Sequence, residues 1–277
     1  MRSNRLARPL LEIRNPFEYP NVITEVGCPP EVLASPPERD TPKFMRCLAA
    51  PFLVLTLLAG GSVAGQAASV DRPDLNPRDR PDLLTISRIK YQGGGDWYNG
   101  PTEIANLLAY IREHTAIRTA SSEVRVEILD EAFFAYPITY LTGHGNIRFS
   151  EEEVRRLRRY LEAGGFLIAN DDYGLDKAFR REMERVFPDK SLLELPPSFG
   201  LFREPFRFDA LPKIHEHDGD RPQAFGIFHE GRLVVFYTHE SDLGDGWDDA
   251  DVHGDPPEKR LAALQFGTNV VMWALTH

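Results

Sequence analysis

Apolar and polar positions along residues 83–277 alternate between two periods. LLTISRIKY (83–91) and EVRVEIL (123–129) repeat every second residue, which predicts strands. YPITYLTG (136–143) and FLIAN (166–170) are continuous apolar runs, the mark of strands buried on both faces. QAFGIF and LVVFYTH flank Glu230-Gly231 as a hairpin-like pair. Between them lie helical stretches. PTEIANLLAYIREHT (101–115) is amphipathic, with Pro101 in its first turn, and DKAFRREMERVFP (176–188) reads as another helix. Ser150 with Glu153 forms a capping box ahead of VRRLRRYLEAGG, which stops at Gly164-Gly165. A closing helix begins near PPEKRLAALQFGTNVVMWAL. Strands alternating with helices predict an α/β fold: a flavodoxin-like three-layer sandwich with a mostly parallel sheet in the order 2-1-3-4, the later pair at one edge.

Upstream of this pattern the chain changes character. Residues 1–44 are proline-rich and aperiodic and read as disordered. From Met45 to Ser69, Arg46 precedes an apolar run from Leu48 to Leu58 and then small residues, the layout of a secretory signal. The expectation is that Met45 is the true start, residues 45–68 the signal, 69–82 a polar linker, and 83–277 one exported, periplasmic α/β domain. The alternative is a membrane anchor behind a disordered tail. Either way, the membrane is reached only through this N-terminal segment.

Overall composition is ordinary, with 42% hydrophobic and 27% charged residues. Charge is not evenly spread. From Asp82 onward there are 22 Lys and Arg against 33 Asp and Glu, so the domain repels phosphate backbones and nucleic acid is excluded as a partner. Both cysteines, Cys28 and Cys47, precede the domain, which removes disulfides, thiolate metal sites and cysteine nucleophiles from it. All eight histidines lie within it and keep divalent-metal chemistry open.

In a parallel sheet, ligands gather beyond the carboxyl ends of the strands. The unusual loops fall there: GGGDWYN, TGHGN, NDDYG and HESDLGDGWDD. The expected ligand-binding residues are Gly94, Gly95, Asp96, Trp97, Tyr98, Gly143, Gly145, Asn146, Asp242 and Trp247. The glycines would bring backbone amides to a ligand and the aromatics would stack on it. His144, Asp171 and Asp172 are the expected catalytic groups, although paired aspartates also serve as helix caps. GGGDWYNG fits neither the dinucleotide nor the phosphate-loop fingerprint. In LPKIHEHDG, His215 and His217 would share one face if extended and could hold a metal. SDLGDGWDDADVHGD fails the calcium-loop spacing and reads as a solvated acidic loop.

The succession RIKYQGGGDWYN, YLTGHGN, GGFLIANDDYG, FRREMERVFP, LPKIHEHDG, LVVFYTHESDLGDGW and DPPEKR resembles the bacterial family called domain of unknown function 4159. The resemblance implies a fold similar to the class I glutamine amidotransferase-like superfamily, which includes trehalose-utilisation-like proteins. It also exposes a departure. Where amidotransferases carry a cysteine after the strand matching GGFLIAN, this chain has Asn170-Asp171-Asp172-Tyr173, so cysteine-based amidotransfer is excluded, while TGHGN matches the loop that supplies oxyanion amides. Two functional expectations follow for a small polar or carbohydrate-like partner: a hydrolase-like enzyme working through His144 and Asp172, or a non-catalytic periplasmic binding module. A third is a structural partner of a membrane complex.

Overall fold

The computed structural model describes residues 80, 82–215 and 218–277. The expected tail, Met45 start, signal segment and nearly all of the linker lie outside the described residues. Among those residues, no helix is long and apolar enough to cross a membrane.

Among the described residues, seven strands make one sheet: β1 (Ile86–Ile89), β2 (Val124–Val126), β3 (Ile138–Leu141), β4 (Phe166–Asn170), β5 (Leu193–Glu194), β6 (Gln223–His229) and β7 (Arg232–His239). Their spatial order is β2-β1-β3-β4-β7-β6-β5. The first four and β7 run parallel, with Ile86 beside Ile138, Ile138 beside Phe166, and Leu167 beside Val235. β6 and β5 are antiparallel additions at the far edge. The flavodoxin-like order expected from the periodicity is therefore present, with the hairpin β6–β7 joined to β4.

Each central strand feeds both faces because successive side chains point to opposite sides. Leu141, Ala169, Val235 and Tyr237 meet one layer of helices, α2 (Glu151–Glu162) and α3 (Asp176–Val186). Tyr140, Ile168 and Phe236 meet the other, formed by α1 (Glu103–His114), α4 (Leu243–Trp247) and α5 (Pro257–Thr276). Helix α1 buries Ile104, Leu107, Leu108 and Ile111, a single stripe at helical spacing. Its first helical residue is Glu103, so Pro101 stands just before the helix. At α2 the capping box forms as expected: Ser150 Oγ accepts from Glu153 N, and Glu153 Oε2 accepts from Ser150 N. Such a cap contributes about 1 kcal/mol.

Two expectations fail after β7. The stretch read as a solvated acidic loop is exposed only from Asp249 to Gly254; every residue from Glu240 to Asp248 is buried. Leu243 and Trp247 sit one helical turn apart and turn inward, folding the segment into α4, with Asp242 Oδ1 accepting from Asp245 N. Nor is Trp247 a stacking platform. It is 1% exposed, donates Nε1 to Ala263 O at 2.8 Å and packs on Tyr140, with Gly267 of α5 close against its ring.

Candidate functional site

The parallel pairing of β1 with β3 brings their following loops together, closely enough that glycine is required. A Cβ on Gly143, at φ +127°, would lie 2.4 Å from the Tyr91 hydroxyl, and one on Gly95 would lie 2.7 Å from His144 O. The glycines thus let two loops cross, which differs from the expectation that they open backbone to a ligand. The amides there are also engaged. His144 N donates to Asp96 Oδ1, Gly95 N to Asn146 O at 3.0 Å, and Gly145 N to Tyr173 O at 3.4 Å. Asn146 is used up within the crossing: its Nδ2 donates to Gly93 O and its Oδ1 accepts from Arg181. Gly94 has open space around it and is one of the exposed positions.

The crossing sets Asp96 and His144 side by side. His144 Nδ1 lies 3.0 Å from Asp96 Oδ2 and 3.3 Å from Asp172 Oδ2. The imidazole is half-exposed, Asp96 is about one-third exposed, and Asp172 is buried beneath them. Asn99 Nδ2 donates to Asp172 Oδ2 and holds that carboxylate under the histidine. Trp97 does not wall the site freely. It is half-buried against the core, with Lys90 and Arg125 placed 6.0 and 5.9 Å from its ring. Tyr98 and Tyr173 are the exposed aromatics of these loops, at 59% and 49%.

Below the rim the charge becomes dense. Asp172, Asp242 and Asp245 each offer one carboxylate oxygen within 4.8 Å of the other two, and all three residues are buried. Asn170, the last residue of β4, organises this floor. Its Nδ2 donates to Asp242 Oδ1 at 2.6 Å, while its Oδ1 accepts from Thr238 Oγ1 and Leu243 N. Burial, then the neighbouring Asp245 and Asp172 carboxylates, push Asp242 far above the ordinary carboxylate range. Burial likewise raises Asp245, to about 7, although His253 opposes the rise. His253 Nε2 lies 3.1 Å from Asp245 Oδ1 and 3.2 Å from Asp248 Oδ2, and His215 Nδ1 lies 3.4 Å from Asp245 Oδ2. His217 falls outside the described residues, so the expected histidine pair reduces to His215 beside His253, with ring centroids 6.2 Å apart.

Asp171 turns away from its neighbour. Its Oδ1 accepts from Leu175 N at 2.8 Å in the turn leading into α3, and its Oδ2 accepts from the Tyr237 hydroxyl at 3.4 Å and lies 3.8 Å from His239. Together with Asp176 these residues form a second acidic group, beside a cavity of about 340 Å³ that Lys177 and Asp218 also line. A cavity of about 630 Å³ between α2 and α3 is lined by Arg148, Arg181, Arg185 and Glu182, and it contains none of Asp96, His144, Asp172 or Asp242.

Under the first loop lies a fourth charged group. Arg88 of β1 is completely buried; it pairs with Glu103 at 3.0 Å and Glu123 at 2.7 Å. It also donates to Asn99 O at 2.6 Å and Gly100 O at 2.8 Å, and its guanidinium sits 5.1 Å from the Tyr140 ring centroid. Burial opposes its charge, yet Glu103, Tyr140 and Glu123 outweigh that and hold it firmly protonated. Arg88, Asn99, Asn170, Asp245 and His253 were not anticipated. The i, i+4 spacing of Leu243 and Trp247 behind a capping Asp242 was the available signal for Asp245.

Residues 85–275 match the family described as Domain of unknown function (DUF4159). The chain belongs to that family. A comparison with curated proteins found no match.

Proposed function

We propose that the carboxyl edge of the sheet carries a hydrolase-like pocket for a small polar or carbohydrate-like substrate, in an exported domain similar to the class I glutamine amidotransferase-like superfamily. The single observation that carries the catalytic reading is the Asp96–His144–Asp172 contact. An Nδ1–H donated to Asp96 fixes the tautomer in which Nε2 bears the lone pair, and among the described residues Nε2 has no partner. A half-exposed imidazole held from behind by carboxylates can take a proton from water attacking a bound substrate and return it to the leaving group. Asp172, buried below, stabilises the imidazolium. Superfamily likeness is supported by the sheet order and by the position of Asp171-Asp172 directly after β4, where a thiol would stand in amidotransferases. Because the His144 and Gly145 amides are spent inside the protein, charge developing on the substrate must be met by other groups.

The test is turnover of a panel of chromogenic glycosides, esters and amides by the purified chain. Hydrolysis of one class, lost in His144→Ala with the circular dichroism spectrum unchanged, is the expected result. Activity that persists in His144→Ala would remove the histidine from the chemistry. A binding module is the second reading, favoured by the exposed rings of Tyr98 and Tyr173 near the rim. Saccharide quenching of Trp97 fluorescence that survives Asp172→Asn, without turnover, would select it.

A further inference from the structure

The buried group below His144 has a property that a solvated acidic patch lacks. Asp242 is 0% exposed; its Oδ1 is saturated by Asn170 Nδ2 and Asp245 N, and its Oδ2 has no hydrogen-bond partner. Sealed from water, that oxygen is met either by a proton, shared with the neighbouring Asp172 carboxylate, or by a cation in the proton's place. We infer that Asp172, Asp242 and Asp245 form a binding site for one divalent cation of the hard, oxygen-seeking class: Mg2+, Mn2+ or Ca2+. This deepens the pocket reading and shares its rim, since Asp172 belongs to both the histidine contact and the carboxylate group.

The spacing fits a single ion. Metal–oxygen distances of roughly 2.0–2.6 Å put opposite ligands about 4–5 Å apart, and the three carboxylate oxygens here all fall within 4.8 Å of one another. The charge also fits. Among the described residues no Lys or Arg pairs with any of the three. Arg88 is committed to Glu103 and Glu123, and Lys213 to Glu240. The imidazoles at the margin are divided among other carboxylates: His253 between Asp245 and Asp248, and His144 between Asp172 and Asp96, with His215 beside Asp245. Carboxylate oxygens without thiolates select alkaline-earth or manganous ions over softer metals.

The neighbouring Asp171–Asp176–His239 group makes a useful contrast. Asp171 is occupied by Leu175 N and Tyr237, and Asp176 Oδ1 already accepts from Arg180 at 2.6 Å and Tyr237 at 2.9 Å. Its charges are answered by the protein, and it supplies the control.

The experiment titrates Mn2+ into the chelator-treated full chain and reads free ion by electron paramagnetic resonance, with Mg2+ and Ca2+ as competitors. One Mn2+ per chain is expected. Asp242→Asn and Asp172→Asn should each weaken it at least about tenfold, the lower bound for disturbing even an outer-shell partner. Asp176→Asn should leave it unchanged, and circular dichroism should show all three variants folded. Asp242→Asn retains Oδ1 for Asn170 and Asp245, which protects the local structure. No binding of any of the three ions, or binding undiminished in both Asp242→Asn and Asp172→Asn, overturns the site. Cation binding is read without turnover, so ion uptake with no hydrolysis would sink only the hydrolase reading, and hydrolysis with no ion uptake only the cation.

Discussion

Two groups of buried charge lie under the same loop and have opposite balance. Around Arg88, the guanidinium faces two carboxylates, one of them shared with Arg125, an aromatic ring and three backbone carbonyls, so each donor has an acceptor. Around Asp242, three carboxylates meet with histidines only at the margin. Burial costs both groups solvation. The first recovers it internally and is therefore structural: it pins residues 97–100 in place. The second turns its carboxylates toward one another, so it holds either extra protons or a cation from outside the chain, which is how such a site differs from a strut. Asn99 joins them, its carbonyl accepting from Arg88 and its side chain donating to Asp172.

The contrast can be broken most forcefully at Arg88. Arg88→Ala leaves Glu103 buried without its cation, while Glu123 keeps Arg125, and should lower unfolding free energy by about 3–5 kcal/mol in urea titration. A loss below about 1 kcal/mol would show that the group holds little together.

Asp245 sharpens the comparison through pH. Its folded value, about 7, stands above the ordinary 3.8, so between them the folded chain binds the extra proton. Stability from this residue is thus fully present below 3.8, falls as pH rises, and is lost once pH passes about 7. Without divalent ions, Asp245→Asn should melt higher than the parent at pH 8, and the gap should narrow steadily toward pH 4. A gap independent of pH would contradict the charge imbalance.

Asp242→Asn comes next. In chelator it should be neutral or more stable by about 1 kcal/mol, because an amide keeps the contact to Asn170 and can donate to Asp172 without taking up a proton. In Mn2+ only the parent should gain in melting temperature. The smallest effect belongs to Asn99→Ala, roughly 1 kcal/mol from one lost hydrogen bond to a carboxylate. A far larger loss would mean that Asn99 carries the Arg88 group as well.

The sheet order and the meeting of Asp96, His144 and Asp172 were legible because both follow from local periodicity. Period-two and period-3.6 stretches fix the elements, and parallel topology then delivers their carboxyl ends to one rim. What escaped depends on partners distant in the chain. SDLGDGW is acidic enough to look solvated, and only the apolar pocket that receives Leu243 and Trp247 draws Asp242 and Asp245 inside. Arg88 sits in an alternating strand, where nothing local distinguishes a buried cation from an exposed one. Asp171 and Asp172 are adjacent and identical, yet one holds the turn into α3 and the other faces a histidine, since side chains alternate across an extended backbone. The expectation for Trp247 failed for a related reason: an indole reads the same whether it stacks on a ligand or fills a core.

Asn170 clamps the end of β4 to the start of α4, and the carboxylates around it come from two stretches about seventy residues apart, Asp172 from one and Asp242 with Asp245 from the other. During synthesis, Asp96, His144 and Asp172 emerge long before Asp242 and Asp245. The full constellation therefore exists only after β7 has docked onto β4 and the last connection has closed over it. An ion that needs all three oxygens arrives as an inspector of the finished fold, not as the seed around which folding begins.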